Sequence, residues 1–299
     1  MWTRRPADPD QARSVQPCGE GPGRPGNIDP KTVAAFGEEW DAYDQTELGE
    51  PEWQAMFDRY FSIFPFDALP ATAEGFDLGC GSGRWAAGVV DRVGLLHCID
   101  PSDKALAVTR RRLGDRANAR FHCAGVDSIP LADASQDFGY ALGVLHHIPD
   151  TAAAMRDCVR KLKPGAPLLV YVYYAFDNRP GWFRALWRVT DLGRVVISRL
   201  PFGLRRAVTT GIAVLVYWPL ARGAALAERL GIRVEGLPLS AYRHNSFYSM
   251  KTDALDRFGT RLEQRFSRAR IAAMMADAGL VDVRFSVGVP YWVACGTRG

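Results

Sequence analysis

The sequence predicts an α/β fold built on a parallel sheet, and three observations carry that reading. Short apolar runs alternate with amphipathic helical stretches between residues 71 and 176. A glycine-rich turn, Gly79-Cys80-Gly81-Ser82-Gly83, separates the first such run from the first helix. An acid, Asp100, ends the second run. Strand–helix alternation at this spacing implies βαβ units with right-handed crossovers.

The elements follow in order. Residues 1–30 hold six prolines and four glycines, with little apolar surface to offset the entropy of ordering, and read as a flexible tail. Residues 31–70 read as an N-terminal helical lid, because Trp53, Phe57, Tyr60 and Phe61 recur at helical spacing. Residues 71–177 form a binding core. Its strands are expected at 75–78, 95–100, 120–124, 138–144 and 167–174, and its helices at 84–93, 102–113 and 151–162. Ser102 or Asp103 can cap the second helix and Thr151 the third, which stops at Pro164-Gly165. From 178 to 250 the alternation ceases in favour of helices rich in Trp, Leu, Val and Arg, broken at Pro201 and Pro219: a helical insertion after strand 5. The pattern resumes over 251–299 with a helix at 267–278, ended by Gly279, and strands at 281–287 and 291–297.

Composition excludes several classes. The 299-residue chain is 47% hydrophobic and 23% charged, which rules out wholesale disorder. Net charge is +4, but ten arginines face only four acids between Asp177 and Glu235, so the basic character is local. A general nucleic-acid surface is not indicated. Six cysteines form no C-x-x-C pair, consistent with free thiols in a reducing cytoplasm. The N-terminus lacks the apolar core of a secretory signal, and the apolar stretch 211–221 is too short to span a bilayer.

The glycine turn carries the chemistry. Its glycines allow a tight bend that brings backbone N–H groups against a ligand at a helix N-terminus. A dinucleotide fingerprint needs G-x-G-x-x-G, and here the third glycine comes one residue early, with Arg84 in its place. The Gly-Lys-Ser/Thr ending of a phosphate-binding loop is also missing. Asp100, followed by Pro101, stands 19 residues after Gly81, where an acid accepts hydrogen bonds from ribose hydroxyls. Gly125-Val126-Asp127 follows the third strand and offers Val126 to an adenine ring and Asp127 to its amine. Leu142-Gly143 and His146-His147 end the fourth strand, at the sheet edge where α/β ligands sit.

Together, Asp77-Leu78-Gly79-Cys80-Gly81-Ser82-Gly83, Asp100, Leu145-His146-His147 and Leu162-Lys163-Pro164-Gly165 resemble the class I S-adenosylmethionine-dependent methyltransferases. The likeness is to the small-molecule group that includes the ubiquinone/menaquinone-type enzymes. It covers residues 72–176 and, more weakly, 251–297. It implies a Rossmann-like seven-stranded sheet with the last strand antiparallel, and S-adenosylmethionine as cofactor. It implies that the Gly79–Gly83 loop holds the methionine moiety, Asp77 its amino group and Asp100 the ribose, with the Leu142/Gly143 backbone facing the amino-acid part. The sequence departs from the pattern at the adenine position, where Gly125-Val126 stands and Asp127 comes two residues late.

Methyl transfer is an in-line displacement at carbon, so the enzyme mainly aligns the nucleophile and, where needed, removes its proton. Candidate bases are His146, His147 and His244. Trp40, Tyr43 and Trp85 offer aromatic faces to the cation. Tyr242, His244, Asn245 and Tyr248 close the insertion and are expected to contact a small-molecule or lipid-like acceptor. The fourth strand lacks the Asn/Asp-Pro-Pro-Tyr/Phe element of amide- and base-amine methylation, and no Asp/Asn cluster suggests a metal. The insertion has three roles open to it: a cap over the site, a homodimer interface, or a peripheral contact with an anionic membrane. A noncatalytic cofactor-binding module of the same fold is the competing reading of the whole chain.

Overall fold

The computed structural model describes residues 26–299. The expected tail therefore lies outside the described residues as far as residue 25, and residues 26–29 run along the binding cleft instead of away from it. The sheet has seven strands: β1 (Glu74–Leu78), β2 (Leu95–Asp100), β3 (Ala119–Cys123), β4 (Phe138–Leu142), β5 (Pro167–Tyr171), β6 (Leu280–Phe285) and β7 (Val293–Arg298). Their spatial order is β3-β2-β1-β4-β5-β7-β6. The first five are parallel, and β7 runs antiparallel to both of its neighbours. The order reverses beside β1, and a ligand crevice is expected at the carboxyl ends of the strands there.

Helices cover both faces, so the central strands are buried on both sides, as parallel strands require. Phe76, Leu96, Ile99, Tyr140, Leu168 and Leu169 are all fully buried. Two strand glycines exist to admit aromatic rings: a Cβ on Gly139 would stand 2.3 Å from the Phe76 ring, and one on Gly75 2.4 Å from that of Phe138.

The helical expectations hold in outline and shift in detail. Ahead of the sheet lie α1 (Pro30–Ala42), whose first turn is capped by Asp29, and α2 (Glu50–Phe61), which buries Phe57 and Phe61. The first crossover helix, α3 (Ala86–Val89), is shorter than its 84–93 pattern. A 3₁₀ turn takes over at Val90, where the Asn118 side chain donates to the carbonyls of Val90 and Val93. Next come α4 (Asp103–Leu113), capped by Ser102, and α5 (Thr151–Lys161), capped by Asp150 rather than Thr151. Strand β5 stops at Tyr171, because Tyr173 and Tyr174 turn to pair with Phe266.

Beyond β5 lie α6 (Gly181–Ile197), α7 (Phe202–Ile212), α8 (Trp218–Arg229), α9 (Phe247–Gly259) and α10 (Arg268–Asp277). Pro201 ends a helix as expected, but Pro219 does not. A π-helical stretch, Ala213–Tyr217, leads into α8 with Pro219 in its first turn, so that Phe202–Arg229 is one 28-residue helix. The apolar stretch 211–221 is thus the middle of a helix that is long enough to cross a membrane by length and composition. Helix α9 runs through the expected limit at residue 250, packing on α6 and α7 and sharing Met250, Ala254 and Phe258 with their small core.

Candidate functional site

The cleft opens over the carboxyl ends of β1 and β4, with a cavity volume of about 120 Å³. Its floor is the glycine turn. Gly79, Gly81 and Gly83 all have positive φ, between +55° and +71°. The turn is tied from behind: Thr109 Oγ1 donates to the Gly81 carbonyl at 2.7 Å, and Arg112 Nε to that of Ser82 at 3.0 Å. A Cβ on Gly81 would meet Trp40 Nε1 at 2.9 Å, so Trp40 lies directly over the turn. Gly81→Ala combines strain at positive φ with that contact, about 1–3 kcal/mol together. Isothermal calorimetry is expected to show cofactor affinity falling roughly 5- to 150-fold.

Asp100 is clamped at the tip of β2. Gly81 N donates to its Oδ2 at 3.0 Å and Ser102 N to its Oδ1 at 2.9 Å. Burial nevertheless pushes its pKa up to about 6. Each carboxylate oxygen keeps a lone pair for a further donor, as a diol requires. Asp77 lies deeper, below the turn. Its Oδ2 is buried without a hydrogen-bond partner, and burial, with Asp100 nearby, pushes its pKa up to about 8. With that pKa the buried carboxyl is mostly protonated near pH 7, and a cation brought beside it would favour its ionised form. The residues present fit S-adenosylmethionine, with an acid for the diol and an acid beside the amino group, while the N–H groups of Gly79, Cys80, Gly81 and Gly83 are spent on Ile99, Asp100 and Cys80 and fix the turn.

The structure brings most of the expected cofactor residues together. Gly79, Cys80, Gly81, Trp85, Asp100, Pro101, Val126, Leu142, Gly143 and Trp40 line the cleft. Three stand outside it. Gly83 packs against Thr109, and Asp77 sits behind the lining. Asp127 is a correction: its carboxylate turns away to accept the Asn27 backbone N–H at 2.9 Å. In its place the segment 27–33 supplies Asn27, Ile28, Asp29, Thr32 and Val33, which composition alone had assigned to a tail or a lid.

The histidines divide. His147 lines the cleft, donates Nδ1–H to the Leu262 carbonyl at 2.7 Å, and leaves Nε2 buried and unpartnered. Burial lowers its pKa to about 4, so it is neutral near pH 7. His146 is fully buried behind it, with both ring nitrogens unpartnered. His244 is a correction: it is exposed and pairs with Glu228 at 2.9 Å, outside the cleft. Asn245 and Tyr248 are also turned to structural use. The Asn245 carbonyl accepts from Arg222, and the Tyr248 hydroxyl accepts the Gln45 backbone N–H at 2.9 Å. Only Tyr242 of that group faces inward, toward Asp253.

Sequence reasoning missed a chain of aromatic rings that begins and ends on the cleft wall. From Trp85 it passes to Tyr60 (4.6 Å between centroids), Tyr171 (5.1 Å), Tyr173 (6.1 Å), His146 (3.9 Å), His147 (3.9 Å), Phe36 (4.8 Å) and Trp40 (6.5 Å). Acids from α9 and α1 adjoin it. Tyr173 Oη donates to Asp256 Oδ2 at 2.6 Å, while Asp256 Oδ1 is buried and unpartnered. Tyr217 Oη donates to Asp253 at 3.0 Å. Burial, then Asp253 and Glu263, push the Asp256 pKa up to about 7. Buried Glu39 is also held well above the carboxylate range, by burial and by Asp256. Arg84 lines the cleft, and its charge is felt at Tyr60 and Asp256. The i, i+3 spacing of Asp253 and Asp256 was the one available signal, and it reads equally as a solvated helix face. Among the described residues no group of His, Cys, Asp and Glu is arranged to hold a metal.

With this geometry in place, the comparisons are specific. Residues 76–170 match the family model described as a methyltransferase domain. The 27-O-demethylrifamycin SV methyltransferase of Amycolatopsis mediterranei is 27% identical over 170 residues, 53% of this chain and 58% of that protein. Phosphoethanolamine N-methyltransferase 2 of Caenorhabditis elegans is 32% identical over 100 residues, 32% of this chain and 23% of that one. The ubiquinone biosynthesis O-methyltransferase of Idiomarina loihiensis is 30% identical over 96 residues, covering 31% and 39%. The chain spans 58% or less of the length of each. Over residues 76–170 the chain thus matches a methyltransferase domain, and each of these relatives is a methyltransferase by name.

Proposed function

We propose that the chain transfers a methyl group from S-adenosylmethionine to an oxygen, nitrogen or carbon atom of a small-molecule or lipid-like acceptor, giving S-adenosylhomocysteine. The observation that carries this reading is the aromatic chain. It starts and ends on the wall of a cleft that already holds the glycine turn and Asp100. Aromatic faces attract a cation.

When bound, the cofactor supplies a methyl group on a positively charged sulfur that leaves as a neutral thioether. The chain's own residues do the rest. Asp100 holds the diol, Asp77 neutralises the amino group, and the aromatic walls keep water out. We place the acceptor end at Tyr173 and Asp256, which the aromatic chain links to Trp85 and His147 of the cleft lining. Tyr173, whose pKa burial raises well above 10, stays protonated and donates to the Asp256 carboxylate. The free Oδ1 of Asp256 takes the proton of an O–H or N–H acceptor as its lone pair forms the new bond to carbon. Neutral His147 lines the cleft and has an unpartnered Nε2 that can accept.

Calorimetry with S-adenosylmethionine and S-adenosylhomocysteine, followed by an acceptor screen read as S-adenosylhomocysteine release, tests the reading. Binding in the micromolar range and release with an acceptor are expected. Binding without release from any acceptor favours the noncatalytic module. Thermal stabilisation by NADH alone overturns both.

A further inference from the structure

Among the described residues, 19 large hydrophobic side chains are exposed, and 16 of them lie between Trp182 and Leu237. They are ordered rather than scattered. Trp182, Leu186, Val189 and Val196 form one stripe along α6, and all are at least 45% exposed. On the 28-residue helix, Leu204, Leu215 and Leu226 are 53%, 76% and 59% exposed. An amphipathic helix in a folded chain normally turns its apolar stripe inward. Here α6 and the long helix turn theirs out.

The opposite side of the long helix is fastened to the domain along its whole length. Arg205 pairs with Glu38 at 3.2 Å, Arg206 Nε donates to Tyr43 Oη at 3.2 Å, Tyr217 donates to Asp253, and Arg222 donates to the carbonyls of Arg243 and Asn245. A helix anchored in this way does not thread a bilayer. It lies flat, with one face against the domain and the other outward.

Charge decides what covers that face. The segment from Asp177 to Glu235 holds ten arginines and four acids. Two of the acids are already paired, Asp191 with Arg194 and Glu228 with Arg243. Arg184, Arg188, Arg199, Arg229 and Arg233 are exposed beside the apolar stripes. A second copy of the chain would press this positive field against its own image. An anionic lipid surface complements it, with acyl chains for the stripes and headgroup charge for the guanidinium groups.

We propose that α6 and the helix Phe202–Arg229 form an in-plane docking face for an anionic membrane. The inference stands independently of the acceptor's identity. Flotation with vesicles of phosphatidylcholine alone, and of phosphatidylcholine with 30% phosphatidylglycerol, tests it at low and high salt. The protein is expected to float with the anionic vesicles only, with the bound fraction falling at least fivefold at high salt. Val189→Asp with Leu215→Asp is expected to lower binding at least tenfold, while the melting temperature and cofactor affinity stay at their wild-type values. Absence of folded protein from anionic vesicles at low salt overturns the proposal. So does a micromolar dimer in analytical ultracentrifugation that the double variant splits, because a second copy then covers the face.

Discussion

Replacing Asp100 by alanine is expected to raise the Kd for S-adenosylmethionine roughly 10- to 150-fold, the equivalent of about 1.5–3 kcal/mol for hydrogen bonds to a charged group. Two effects add. The ribose diol loses its acceptor, and Gly81 N and Ser102 N lose the carboxylate that fixes the turn against the tip of β2. Asp100→Asn keeps the shape and one oxygen acceptor, so it should recover part of the loss. A global role in folding would instead lower the melting temperature of both variants in proportion. Titration calorimetry on the two proteins separates these outcomes, and an unchanged Kd for the alanine variant would place the cofactor elsewhere.

The second large effect is expected at Asp256. As the proton acceptor it should contribute about 10²- to 10⁴-fold to turnover, so Asp256→Asn should lower kcat by that factor and leave cofactor affinity untouched. Its pKa, raised to about 7, sets the direction of the pH dependence. The group works ionised, so activity should climb as pH rises through about 7 and fall as acid protonates it. The asparagine variant should lose that limb of the profile. A purely structural Asp256 would lower activity evenly at every pH, and Tyr173→Phe would then do the same.

Much of the fold and of the site is legible in the sequence, and the reason is local. The sheet announces itself through strand–helix alternation, and the glycine turn through residues that tolerate positive φ, so Gly79 to Gly83 and Asp100 could be placed from a few neighbours each. The aromatic chain could not, because its members lie at positions 36, 40, 60, 85, 146, 147, 171 and 173 and meet only through the fold. Asp253 and Asp256 look like an ordinary exposed helix face until α9 is turned toward β5. His244 misled because a polar, aromatic neighbourhood does not show direction, and Glu228 on α8 holds it at the surface. Pro219 misled because a π-helical stretch absorbs what a regular helix would not.

The hydrogen bonds of Asn27 bear on turnover. Its backbone N–H holds Asp127, its side-chain amide donates to the Asp150 carbonyl at 2.8 Å, and Asp150 N donates back to it at 2.8 Å. The chain entering α1 is thereby buckled across the loops that follow β3 and β4. Bonds of this kind contribute about 0.5–1.5 kcal/mol each, enough to hold the buckle shut for most of the time and too little to prevent its opening. Residues 27–29 are thus fastened over the cleft by the two loops they line it with, and a ligand leaving past them would have to part these bonds first.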